Sequence, residues 1–96
     1  MNFDKKYTPN NTGRLIGHIV KVVKEEDGIV NVALTTNNPY TKNYDMHFAQ
    51  ATGKEAETLL SAAKNDVVDM TLKAVSHFVD KRNVIEMHVV TCDLIG

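Results

Sequence analysis

Hydrophobic and polar positions alternate with a period of two through most of this chain, and the alternation predicts five strands. From Arg14 the segment RLIGHIVKVVKEE carries Leu15, Ile19 and Val23 on one parity and Ile16, Val20 and Val22 on the other. A strand here is apolar on both sides over part of its length, and Gly17 inside it suits a sharp bend. Asp27-Gly28 reads as a type I′ hairpin turn, whose two central residues need positive φ. Val30, Val32 and Leu34 then alternate with Asn31, Ala33 and Thr35, a second strand pairing back on the first. Residues 37–44 read as a polar loop. From Asp45 to Ala51 a third strand sets Met46, Phe48 and Gln50 on one face and His47, Ala49 and Ala51 on the other.

The period changes after Ala51. Thr52-Gly53-Lys54-Glu55 fits a capping box, in which the Thr hydroxyl accepts the Glu55 amide and the Glu55 carboxylate accepts the Thr52 amide. Ala56, Leu59, Leu60 and Ala63 follow at helical spacing, predicting a helix of about three turns that ends at Asn65-Asp66 and buries Leu59 and Leu60. Alternation resumes at Asp66 and runs to Val79, with Val68, Met70, Leu72 and Ala74 on one face. A polar turn at 80–83 precedes a last strand, Val84 to Ile95. The order βββαββ is that of the OB-fold, a five-stranded Greek-key barrel, all-β apart from its one helix. Residues 1–13, polar with neither period, read as an N-terminal arm; residues 14–96 form the domain.

Composition narrows the function. The chain has 96 residues, enough for one core. Eleven Lys and Arg against twelve Asp and Glu give a net charge of −1, so a polyanion site has to be a local patch. One cysteine, no basic-then-apolar leader and no membrane-length apolar run point to a cytoplasmic protein without an internal disulfide. Trp is absent and there are only three Tyr and three Phe, so the positions of the aromatics carry information.

In segment order and in the junction of strand, Gly-Lys and helix, the chain resembles the bacterial and phage single-stranded DNA-binding proteins. The segments that carry this are RLIGHIVK, IVNVALTTN, DMHFAQATGKEAETLLSAAKND, DVVDMTLKAV and VIEMHVVTCDLIG, spanning residues 14 to 95. The resemblance implies sequence-nonspecific binding of single-stranded DNA in replication, recombination or repair, commonly as a homo-oligomer. Tyr40 falls where that family places a base-stacking aromatic at the end of the second strand. Phe78 falls near another beyond the fourth. Met46 and Thr52 stand where many members have aromatics. The short 37–44 loop, the short 80–83 turn and the lack of an acidic C-terminal tail imply a minimal member, of phage or mobile-element type, or a primosomal-type relative.

A sequence-tolerant site for unpaired nucleotides needs flat rings for the bases and cations for the phosphates. Tyr40, Tyr44, Phe48 and Phe78, with Met46, are the candidates for the first role. Lys21, Lys42, Lys73, Lys81 and Arg82 are candidates for the second. The bland reading is that the tyrosines shield a loop, Phe48 lies in a subunit interface and the lysines solvate the surface. The expected partners are single-stranded DNA, with RNA as the other nucleic acid, replication proteins, and the chain itself as dimer or tetramer; a membrane is not among them. The alternative function is an OB-fold protein-interaction module with weak or no DNA binding, favoured by the net charge and the lost aromatics.

Catalytic chemistry finds no support. Gly53-Lys54 lacks both the preceding Gly and the following Ser or Thr of a phosphate loop, and no nucleophile, base and orienting group stand in a recognisable pattern. No cofactor and no metal are expected. His88 and Cys92, four apart on one strand face, lie about 13 Å from each other at ~3.3 Å per residue, and His18, His47 and His77 sit on separate strands.

Overall fold

The computed structural model describes residues 12–95. Its elements are β1 (Thr12–Lys24), β2 (Val30–Asn38), β3 (Asn43–Ala51), α1 (Gly53–Leu60), β4 (Val67–Val79) and β5 (Arg82–Leu94). The strands close in the order β1-β2-β3-β5-β4 and back to β1. All pairs are antiparallel except β3 with β5, which meet in parallel at Gln50 and His88. This is the expected OB barrel. Thr12 and Gly13, assigned to the arm by sequence, already pair with Lys73 and Leu72; the rest of that arm lies outside the described residues.

β1 closes the barrel by changing partners. Its first half pairs with β4 as far as His18, and its second half pairs with β2 from His18 onward. The change is possible because Gly17 has no side chain: a Cβ there would stand 2.7 Å from the Thr35 carbonyl oxygen and 2.9 Å from Leu34 Cδ1. Immediately afterwards the register slips by one residue between Ile19 and Lys21. A bulge shifts inward-facing parity by one, so Leu15 and Ile19 point to the core before it and Val22 after it. The core residues of this strand come from both parities for that reason.

The core is built from Ile19, Val30, Val32 and Leu34, the small Ala49 and Ala51 of β3, and Val68, Met70 and Leu72 of β4. Ala56 and Leu59 enter from α1, which rests on β5 and β2 at the end of the barrel. The helix is shorter than its apolar spacing predicts, ending at Leu60, so Leu59 is buried while Leu60 is exposed. The capping box does not form. Gly53, the first helical residue, takes φ +63°, and the Thr52 hydroxyl makes no cap bond.

Both hairpin turns differ from expectation in an instructive way. At the β1–β2 turn only Gly28 has positive φ. The Gly28 amide donates to the Glu25 carbonyl at 3.2 Å and the Glu25 amide to the Ile29 carbonyl at 2.7 Å. This is a three-residue connection closed by a left-handed glycine, not a type I′ pair. The β4–β5 turn is the two-residue one, with Asp80 at φ 49° and Lys81 at φ 63°. Arg82 and Asn83 therefore belong to β5, paired with Val79 and Phe78.

Candidate nucleic-acid interface

Residues of β3 alternate cleanly. Ala49 and Ala51 go inward, leaving Tyr44, Met46, Phe48 and Gln50 on the outer face. Phe48 is 71% exposed and Tyr44 73%, values that place the rings in solvent and not in the core. On β2 the outer neighbours are small or polar: Asn37 faces Tyr44, Thr35 faces Met46 and Ala33 faces Phe48. Next to Ala33 comes Lys21 of β1. The result is a smooth strip with rings along one side and an ammonium group across from them.

The Lys21, Ala33 and Phe48 end of this strip floors a groove of about 390 Å³. Lys21, Val23, Asn31, Ala33, Phe48 and Gln50 line it from β1, β2 and β3, and Ile85, Glu86 and Met87 line it from β5. The β4–β5 hairpin supplies that second wall because it outruns the barrel. Beyond the single Gln50–His88 pairing β5 no longer touches β3 in register. Val23, Ile85 and Met87 are groove residues that sequence reasoning missed. The bulge in β1 hides the outward parity of Val23; Ile85 and Met87 alternate with Glu86 and His88, a pattern that does not tell a core face from a groove wall.

Tyr40 stands at the tip of the β2–β3 loop, which is shorter than the 37–44 segment because Asn37, Asn38, Asn43 and Tyr44 are all paired. Asn38 organises it. Its side-chain oxygen accepts the amides of Tyr40 (3.0 Å) and Thr41 (3.3 Å), while its Nδ2 donates to Asp45 (3.1 Å). The Lys42 amide closes the turn on the Asn38 carbonyl at 2.9 Å, with Lys42 at φ 59°. Such an Asx turn fixes the loop by local bonds alone, and it leaves Tyr40 95% exposed.

Phe78 lies opposite Asn83 at the hairpin tip, on the hairpin face that also carries Ile85 and Met87. Lys73 and Arg82 have the other parity and share the opposite face with Glu86 and His88; Lys81 is in the turn itself. The fold thus gathers Lys21, Tyr44, Met46 and Phe48 on one surface. It sets Tyr40, Lys42, Phe78 and Lys81 at two loop tips and leaves Lys73 and Arg82 on another face.

Two further features lie outside this surface, an ion pair and a neutral thiol. Arg14 forms a two-point bond with Asp69, Nε to Oδ1 at 2.9 Å and Nη2 to Oδ2 at 2.5 Å. That bond raises the guanidinium pKa and lowers that of the carboxyl. Cys92 packs against the core from β5, and burial pushes its thiol up to about 11, with smaller contributions from Asp93 and Glu55. The expectation that His88 and Cys92 share a face fails. A second bulge, opposite Thr71 and Leu72, shifts the register between them, so Cys92 pairs with inward-facing Met70 and His88 with exposed Lys73.

No family model matches the chain, and no curated protein is similar to it in sequence. Solved structures do match it. A mitochondrial single-stranded DNA-binding protein of S. cerevisiae superposes with a TM-score of 0.72 at 8% identity, over 91% of this chain and 96% of that one. The N-terminal domain of PriB from Thermoanaerobacter tencongensis, a dimeric structure, gives 0.66 at 13% identity, over 90% and 97%. A small single-stranded DNA-binding protein of Mycoplasma pneumoniae gives 0.64 at 14%, over 86% and 91%. At such identities the likeness is one of fold, and the expected resemblance is met at that level.

Proposed function

We propose that this protein binds single-stranded DNA with little sequence preference, laying bases on the outer face of β3 and phosphates along the flanking cations. The observation that carries the reading is the row Tyr44, Met46, Phe48. It runs along one strand face at alternate positions, each side chain at least half exposed, and its Phe48 end lines a groove that Lys21 also lines. A sheet that only packed on itself would have no reason to spend its few rings there. Alternate residues on a strand stand about 7 Å apart, so Met46 fills the space between the Tyr44 and Phe48 rings, which lie about 13 Å from each other, and each ring can take its own unstacked base. Tyr40 with Lys42 and Phe78 with Lys81 extend the track at the two loop tips. The three solved structures support the reading through the fold they share with this chain.

The role is binding, not catalysis, in replication, recombination or repair, and self-association as a dimer or tetramer would lengthen the track. Among the described residues no helix is long and apolar enough to cross a membrane. A second reading, an interaction module of primosomal type, is favoured by Val79, Val84 and Ile85, apolar residues exposed near the hairpin tip. Fluorescence anisotropy of a labelled thymidine thirty-mer, with unlabelled duplex as competitor, separates the two. Saturable binding that the duplex displaces poorly supports the first reading. Absence of binding at micromolar protein would leave the second.

A further inference from the structure

On the face of the β4–β5 hairpin turned away from Phe78, three side chains converge. His77 Nε2 lies 2.8 Å from Glu86 Oε1, and His88 Nε2 lies 4.0 Å from Glu86 Oε2. One ligand atom from each of the three falls within 4.8 Å of the others. We propose that His77, Glu86 and His88 form a binding site for a divalent transition metal of the zinc class. The proposal stands independently of whether the groove binds nucleic acid.

The geometry arises from register. Glu86 faces Val75 and His88 faces Lys73 across the hairpin, so both lie on the same side as His77, two residues along β4 from Val75. A His on one strand and a Glu-x-His on the next, across a short turn, is the signal the sequence held. Two imidazoles and a carboxylate suit zinc and its neighbours, with a fourth position left for water. Tetrahedral coordination at about 2.0–2.1 Å asks its donors to stand about 3.4 Å apart, so small rotations of the exposed His77 and the half-buried Glu86 and His88 complete the set.

A second observation points the same way. His88 Nε2 is shielded from solvent and has no hydrogen-bond partner. An imidazole nitrogen turned toward a carboxylate yet 4.0 Å from it is uncompensated in the metal-free protein, and a cation between the two would satisfy both. Gln50 Nε2 donates to Glu86 Oε2, the kind of outer contact that fixes a ligating carboxylate. The opposing charge is Lys73, across from His88 on the same face; its ammonium is exposed and free to swing into water. Glu86 also lines the groove, so an ion here would brace the arm that forms its second wall.

The test uses the full chain stripped of metal by a chelator and then titrated with cobalt(II), whose visible absorption reports coordination number. Zinc affinity is read by competition with a chromophoric chelator. The proposal expects one equivalent of cobalt giving the intense band of a four- or five-coordinate site. It also expects a loss of zinc affinity of about a hundredfold or more in His77→Ala and in His88→Ala, and about tenfold in Gln50→Ala. Glu86→Gln, which keeps the shape and removes the charge, should abolish the intense band while circular dichroism stays unchanged. His18→Ala and His47→Ala should change nothing. No saturable uptake at micromolar metal, or control variants as weak as His77→Ala, would overturn it.

Discussion

Phe48 and Leu59 show how differently two large apolar side chains serve this chain. Leu59 is wholly buried at the end of the barrel, so Leu59→Ala should cost about 2–5 kcal/mol of stability through lost burial and the cavity left behind; a denaturant melt reads it. Phe48 is in solvent, and Phe48→Ala should leave the melt within about 0.5 kcal/mol of wild type. It should nonetheless weaken single-strand binding by about 1–3 kcal/mol, the worth of one stacked base. Cys92 gives a residue-scale prediction in pH. Its thiol is pushed up to about 11 from an ordinary 9.0, so above about pH 9 the unfolded chain releases a proton that the folded chain keeps. The stability this thiol contributes is complete below pH 9 and is lost as pH rises through about 11. Its labelling by a disulfide reagent at about pH 8 should be about a hundredfold slower in the folded protein than in denaturant, the thiolate fraction setting the rate.

At the scale of elements, β1 and the β2–β3 loop carry the most. Gly17→Ala should destabilise the barrel by about 1–3 kcal/mol, since the new methyl meets the backbone oxygen of Thr35, which cannot move without opening the β1–β2 ladder. Asn38→Ala removes two accepted amides and one donated bond from the loop that presents Tyr40. It should loosen the loop and weaken binding while the barrel melts nearly as before. Strand alternation at Ala49 and Ala51 and at Val68 to Leu72 made the inward faces legible in the sequence, and the polar residues 80–83 marked the place of the second turn but not its two-residue length. The two bulges were not legible, because a single inserted residue leaves the composition unchanged and alters only parity; so Val22 could not be told from Val23, nor Cys92 from a neighbour of His88. The capping box misled because a left-handed Gly53 turns the first helical turn away from the Thr52 hydroxyl.

For the whole molecule, closure is what turns a short, nearly neutral chain into a surface with a direction. Every strand meets two others, which removes most of the open edge that would invite aggregation and holds the outer face of β1, β2 and β3 against the arm of β5. The net charge of −1 then matters less than where the cations stand, Lys21 next to Ala33 in the register that brings Ala33 to Phe48, and Lys42 and Lys81 in the two turns. If these three each neutralise one phosphate, the logarithm of affinity for a single strand should fall against the logarithm of salt with a slope of about −2. The most direct measurement is tyrosine fluorescence during titration with a thymidine thirty-mer, repeated between about 50 and 200 mM salt. Saturable quenching that weakens with salt at about that slope, and that is weaker in Phe48→Ala, is the predicted result. A signal indifferent to the oligonucleotide, or binding that Phe48→Ala leaves untouched, would contradict it.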